Sequence, residues 1–290
     1  MKDFEYLEPG TVAEVCEFLD KYEEAKLLAG GSSLVNLMKT NLVTPRYLIN
    51  LKTVPDLANI EYDNEDGTRI GAMVTDQDVI ESPVIGERYP LLVEAGRHIA
   101  SVGIRNQATI GGNICHADPS ADFPPALIAL NAQVRIVSSK GQRTIPVEEL
   151  FVDYLECALE PNEILTEIEI PKPLPGAGWS FLELNKTSNS AAVVSVAAII
   201  NLGSDGRCQQ ASLALGSAGN TPIKVSKISD ILIGQRVDSN LIEAVALEAQ
   251  RVCNPISDVF GSAEYKRKMV KVLTIRALNE AVARAKAISS

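Results

Sequence analysis

The stretch T-I-G-G-N-I-C-H-A-D-P-S-A-D, Thr109 to Asp122, sets two chemistries side by side. Its first half is a glycine pair flanked by a hydroxyl and an amide residue, a pattern that lets an anion approach the main chain closely. Its second half gathers Cys115, His116, Asp118 and Asp122, all residue types that ligate metals. Adjacent Cys115 and His116 in an extended segment would point to opposite faces, and only His98 exists elsewhere to complete a set, so the spacing argues against zinc. A cysteine–histidine nucleophile pair is equally poorly supported, since a lone thiol beside a ligand loop more often packs than reacts.

Upstream, A-G-G-S-S-L, Ala29 to Leu34, repeats the theme directly after the short apolar run K-L-L-A. One glycine pair after a strand is usually just a turn. Two separated pairs, each with hydroxyl neighbours, can clamp a pyrophosphate from two sides. Neither fits GxGxxG or GxxxxGK(S/T), so a Rossmann site and a P-loop are both unsupported.

The composition narrows the partners. The chain has 290 residues, 46% hydrophobic and 22% charged, ordinary for globular protein and long enough for more than one compact unit. A net charge of -10 argues against binding a nucleic-acid backbone, which draws its affinity from lysine and arginine. Cys16, Cys115, Cys157, Cys208 and Cys253 are scattered without a CxxC pair, so no iron–sulfur or structural zinc site is built locally. The thiols read as buried and reduced in a cytoplasmic protein. M-K-D-F-E-Y-L-E-P-G carries acids where a signal peptide needs an apolar run, and no stretch has the length of a membrane span.

Periodicity predicts the elements. Thr11 to Tyr22 has capping-box spacing and an apolar side at Val12, Val15, Cys16 and Leu19, hence an amphipathic helix. K-L-L-A and R-Y-L-I-N-L read as strands, with L-V-N-L-M-K a short helix between them. T-R-I-G-A-M-V, Q-V-R-I-V and E-I-L-T-E-I-E-I-P are further strands, with a helix near Leu91 to Ala100. Pro171, Pro173, Pro175, Gly176 and Gly178 mark a boundary. Beyond it come two strands, A-A-V-V-S-V-A-A-I-I-N-L and A-S-L-A-L-G-S-A, then helices near Leu241 to Cys253 and Ala263 to Ala285. Three units follow: an α/β unit over 1–55, a mostly antiparallel unit over 56–175, and a sheet with helices over 176–290.

Together, A-G-G-S-S-L-V-N-L-M-K, P-R-Y-L-I-N-L and R-N-Q-A-T-I-G-G-N-I-C-H-A-D-P-S-A-D-F-P-P-A-L resemble the FAD-binding medium subunit of the molybdenum hydroxylases. That family includes carbon monoxide dehydrogenase, xanthine dehydrogenase and related aldehyde and N-heterocycle hydroxylases. The likeness runs on through E-I-L-T-E-I-E-I-P, A-L-G-S-A-G-N-T-P and S-A-E-Y-K-R-K-M, with Arg276-Ala277-Leu278 near the end. It implies an α+β chain: a two-subdomain FAD-binding fold of the vanillyl-alcohol-oxidase type, then a carbon monoxide dehydrogenase flavoprotein C-terminal domain.

The resemblance also implies a site. Lys26, Leu27, Leu28, Ala29, Gly30, Gly31, Ser32, Ser33 and Leu34 match the first FAD loop. Thr109, Gly111, Gly112 and Asn113 match the second. Ile99, Ala100, Ile104 and Ala108 match apolar or close contacts to the cofactor, His116 and Asp122 its ribityl and phosphate side, and Ile164 and Leu165 positions packed near the flavin. Two departures stand out. Relatives commonly carry a basic residue at Leu182 and an acidic–aromatic pair at Ser190-Ala191.

The implied role is an oxidoreductase subunit that relays electrons through FAD, from 2Fe–2S clusters on a small subunit to an external acceptor. A large molybdopterin-binding subunit would oxidise the substrate, in a dimer of heterotrimers. No catalytic acid, base or nucleophile is implied on this chain. A stand-alone FAD oxidase lacks support because no added substrate domain or covalent-flavin histidine motif is evident. A cofactor-free scaffold would have no need of two phosphate cradles.

Overall fold

Thr11 opens the first helix, Val12–Lys21, and its Oγ1 accepts the Glu14 N–H at 3.2 Å. Glu14 turns back to accept the Gly10 N–H at 2.6 Å, so the return bond of the capping box falls one residue upstream. The structure is a computed structural model that describes residues 1–187 and 190–289. Ser188 and Asn189, inside the stretch F-L-E-L-N-K-T-S-N-S-A-A-V-V, lie outside the described residues.

Strands β1 (Glu5–Leu7), β2 (Ala25–Leu28) and β3 (Tyr47–Asn50) form a parallel sheet in the order β1-β3-β2. Val15 and Cys16 of the first helix bury against Ile49, Leu51, Val54 and Leu57. Parallel strands place ligands beyond their carboxyl ends, and the loop after β2 is the A-G-G-S-S segment.

The second sheet is antiparallel, built from β4 (Ile60–Asp63), β5 (Gly67–Gly71), β6 (Gln133–Ser138) and β7 (Gly141–Pro146). After the short hairpin β8 (Phe151–Asp153) and β9 (Glu156–Cys157), β10 (Ile164–Ile170) enters its centre, giving β4-β5-β10-β6-β7. The alternation of I-L-T-E-I-E-I has its expected cause. Ile168 and Ile170 enter the core, while Glu167 and Glu169 face outward and share Arg135 at 2.6 and 2.5 Å.

The third sheet, β11 (Gly178–Leu184), β12 (Val194–Leu202), β13 (Cys208–Gly216) and β14 (Ile223–Lys224), is antiparallel in chain order. Every residue of β12 is buried, because the strand is covered on both faces. Val194, Val196, Ala198 and Ile200 pack against the helices Ser239–Val252 and Ala263–Ser289, whereas Ala197 and Ile199 join the core of the antiparallel unit. An α+β architecture results, as the sequence led us to expect. Among the described residues no helix is long and apolar enough to cross a membrane.

A polar cluster fastens the last helix to the helix Pro90–His98. Arg284 reaches Glu94 at 2.7 Å, the Trp179 carbonyl at 3.0 Å and Glu280 at 2.6 Å. Glu94 in turn accepts the Phe181 N–H at 3.3 Å. Replacing Arg284 with Met leaves Glu94 part-buried without its cation. The expected loss is ~1–3 kcal/mol, read as a fall in Tm of roughly 2–4 °C per kcal/mol; an unchanged melt would remove this cluster from the account of how the halves are joined.

Candidate functional site

A cleft of about 440 Å3 lies between the loop after β2, the segment 98–109, and the short helix Ile110–Cys115 with the turn that follows it. In the first loop the chain reverses at Gly31, φ +84°, a conformation that favours glycine. Gly30 has a different reason. A Cβ there would lie 1.9 Å from the Gln107 carbonyl oxygen and 2.8 Å from Ala108 Cα, so the two walls of the cleft meet where only hydrogen fits.

The first loop has donors to spare. The carbonyls of Gly31, Ser32 and Ser33 accept from Val35 N, Asn36 Nδ2 and Leu37 N as the helix Leu34–Lys39 starts. The N–H groups of Gly30, Gly31, Ser32 and Ser33 have no partner among the described residues, and the buried Ser32 Oγ has none either. Successive unpaired amides of this kind form an anion-binding concavity.

The second segment differs from the sequence reading. T-I-G-G-N is the first turn of a helix, because Thr109 caps it: Oγ1 accepts the Gly112 N–H at 3.1 Å. Ile110 N and Gly111 N are bound to the carbonyls of Val74 and Ala72, both at 3.0 Å, and Asn113 N to Thr109 O at 2.8 Å. A cradle of amides from both glycine pairs is therefore corrected to one from the first pair only. What the second wall offers is the Thr109 hydroxyl and the Asn113 side chain, whose buried Oδ1 lacks a partner. The helix also corrects the extended geometry assumed for Cys115 and His116. Cys115 packs on the core of the antiparallel unit, where burial pushes its thiol far up.

Ala29 to Leu34 line the cleft throughout. So do Ile99, Ala100, Ile104 and Ala108, then Thr109, Gly112 and Asn113, and finally His116 and Asp122. The remaining expected residues lie elsewhere. Lys26 is exposed on β2, Leu27 packs in the core beneath the parallel sheet, and Leu28 is half-buried at the strand's end. Gly111 turns from the cleft to Ala72, whose Cβ and carbonyl oxygen would each be 2.6 Å from an added Cβ. Ile164 and Leu165 lie in two cores behind the cleft.

Several lining residues were not assigned to the site from the sequence: Leu37, Asp76 and Ser120 among them, with His98, Asp118, Ser190 and Ala191 noticed there only for other reasons. Asp76 is fully buried and neither carboxylate oxygen has a partner. Burial pushes its carboxyl up to about 7, against the opposing pull of Arg105. Asp122 is also pushed well up, by burial first and then by Glu183, Asp118 and Asp76. His98 Nδ1 is 2.7 Å from Glu183 Oε2, which reaches the cleft's edge from β11. Arg105 donates to Gln77 Oε1 at 2.9 Å and to the Ile99 and Ala100 carbonyls at 2.8 and 3.3 Å, holding Ala100 at φ +37°. Its only sequence signal was its place in R-N-Q, just before the glycine pair.

A larger groove of about 890 Å3 lies under the linker, floored by Trp179, Ile199 and Ser212. Its lining runs along the proline-interrupted segment Pro171 to Gly176 and includes Lys172 and Lys224, with no glycine pair among the described residues. The smaller cleft is the one whose donor set suits a phosphorylated cofactor: free amides and a hydroxyl on one wall, a hydroxyl and an amide side chain on the other.

Known proteins carry the same architecture. Residues 2–173 match the family model described as the FAD binding domain in molybdopterin dehydrogenase, and 179–281 match the CO dehydrogenase flavoprotein C-terminal domain. The nicotine 6-hydroxylase medium subunit of Paenarthrobacter nicotinovorans is 34% identical, covering 96% of this chain and 97% of that one. The carbon monoxide dehydrogenase medium chain of Afipia carboxidovorans is also 34% identical, with 98% of each chain covered. A carbon monoxide dehydrogenase structure from Hydrogenophaga pseudoflava superposes with a TM-score of 0.94 at 34% identity, over 98% of both chains. With its two glycine-bearing walls and a match along nearly its whole length, this chain belongs to the family of FAD-binding medium subunits of the molybdopterin dehydrogenases.

Proposed function

We propose that this chain is the FAD-carrying electron-transfer subunit of a multi-subunit molybdenum hydroxylase. It passes reducing equivalents from 2Fe–2S clusters on a small subunit to an external acceptor. A large molybdopterin-binding subunit completes a cytoplasmic assembly, a dimer of heterotrimers. The carrying observation is the row of free amides from Gly30 to Ser33 facing the hydroxyl of Thr109 and the orphaned Asn113 Oδ1.

In this reading, the Gly30–Ser33 amides and the Ser32 and Thr109 hydroxyls hold the pyrophosphate, with charge-assisted hydrogen bonds replacing water. Ile99, Ala100 and Ile104 supply the apolar wall, and Arg105 fixes its shape through the Ile99 and Ala100 carbonyls. Bound FAD supplies one- and two-electron redox chemistry at its isoalloxazine. The chain's own residues bind it, orient it and exclude water. The division at about 55 and 175 puts the cleft at the seam of the first two units, with Ser190-Ala191 of the third closing one side.

Purified from its source, the protein should show flavin absorbance and bring down molybdenum, iron and two further chains; a colourless single chain would sink the reading. The chain alone, supplied with FAD, should bind it without turning over any hydroxylase substrate. Gly30→Val should weaken FAD binding at least about tenfold, ~1.4 kcal/mol, because the branched side chain must displace the Gln107 carbonyl. Gly86→Ala, with nothing within 4 Å of the added methyl, is the control and should bind as the parent does.

A further inference from the structure

The cleft has a charge problem. Its lining carries the carboxyl groups of Asp76, Asp118 and Asp122 and the imidazoles of His98 and His116 but, among the described residues, no lysine or arginine. A pyrophosphate would add two more negative charges. Asp118 Oδ1 has donors, the Ser120 N–H and hydroxyl, at 2.9 and 2.7 Å. Asp76 has no such donors on either oxygen.

Apart from Arg105, the charges on the elements around Asp76 are paired elsewhere, exposed or negative. On its own helix, Asp76–Glu81, Asp78 takes the Thr75 hydroxyl at 2.6 Å and Glu81 takes Gln77 Nε2 at 2.6 Å. Arg105, on the helix Val102–Arg105, is hydrogen-bonded to Gln77 and two carbonyls, all neutral, so its charge still draws the Asp76 carboxyl down, by less than burial raises it. On the helix Pro90–His98, His98 is turned to Glu183, Glu94 to Arg284, and Arg97 is exposed. On the helix Pro83–Arg88, Arg88 lies over the Tyr62 ring, 3.6 Å from its centroid, and Glu87 is exposed. Asp122, just before the helix Phe123–Ala129 and making no side-chain capping bond to it, is a second acid with an orphaned oxygen.

We propose that Asp76 serves the cofactor as an acid: in the FAD-bound state its carboxyl is protonated and donates a hydrogen bond into the cleft, so FAD binding takes up a proton. This rests on the FAD reading above. A neutral carboxyl removes a charge beside the phosphates and gives a buried, unpartnered oxygen something to donate. The carboxyl of the free protein, already pushed up to about 7 by burial, is pushed higher when phosphates enter. The sign follows. Affinity is fully present below the free protein's value and falls as pH rises above it, until the bound state's own value is passed.

The test uses the full-length chain stripped of flavin, titrated with FAD from about pH 6 to 9 by fluorescence. Expected is a decline approaching tenfold in affinity per pH unit above about 7, the signature of one proton. Asp76→Asn, which donates without titrating, should flatten that slope and bind FAD more tightly than the parent at the alkaline end. Calorimetry of the unmodified chain in buffers of different ionisation heat counts the proton directly, so the test survives a variant that folds poorly. Affinity independent of pH, no proton uptake, or a slope that persists in Asp76→Asn and vanishes in Asp122→Asn or His116→Gln overturns the proposal while leaving FAD binding intact. No FAD binding at any pH overturns both.

Discussion

The contact between Gly30 and the Gln107 carbonyl governs the site, because it sets the closest approach of two walls carried by different sheets, which also share Ile164 of β10 in the core under the parallel sheet. The wall opposite the first loop is built by relay. Thr166 of β10 accepts from Ala72 N at 2.8 Å, Ala72 and Val74 accept from Gly111 and Ile110, and Ala108 accepts from Asp76 N at 3.0 Å. Each bond passes the position of the antiparallel sheet one step closer to the cleft. At the end of the relay, the Gln107 carbonyl meets a residue without a side chain. Any bulk at position 30 would separate the free amides from the hydroxyl wall opposite them.

Much of the fold was legible because local and tertiary demands agree. The Thr11 cap, the alternation of β10 and the β-branched run of β12 each favour the element that packing also requires. The site was legible as a neighbourhood but not as geometry. Glycines disfavour helix, so T-I-G-G-N read as a loop; the Thr109 cap and the burial of Ile110 and Ile114 outweigh that preference. Once helical, the register sends Gly111 to Ala72 and leaves Gly112 near Ala29, a difference invisible in two identical letters. Asp76 was missed for a related reason. T-D-Q-D carries no ligand motif, and the meeting of its helix with the 108–109 segment helps remove Asp76 from water.

The C-terminal half is part of the same cleft. Side chains alternate along β11, so Leu182 packs into the core with the last helices while its neighbour Glu183 meets His98. Leu182 therefore sits on the far face of the sheet, while its immediate neighbour contacts the cleft-lining His98. Ser190 and Ala191 line the cleft itself. Their segment is tied at its end: Val193 N bonds the Leu184 carbonyl at 2.8 Å, and Ser217 Oγ holds the Ala192 carbonyl at 2.8 Å while Ser217 N takes the Pro119 carbonyl. One serine thus joins the third sheet to both the 190–193 segment and the A-D-P-S turn below the second wall. With the walls fixed by backbone bonds of this kind, the side chains at Ser190 and Ala191 can vary without moving the free amides of the first loop.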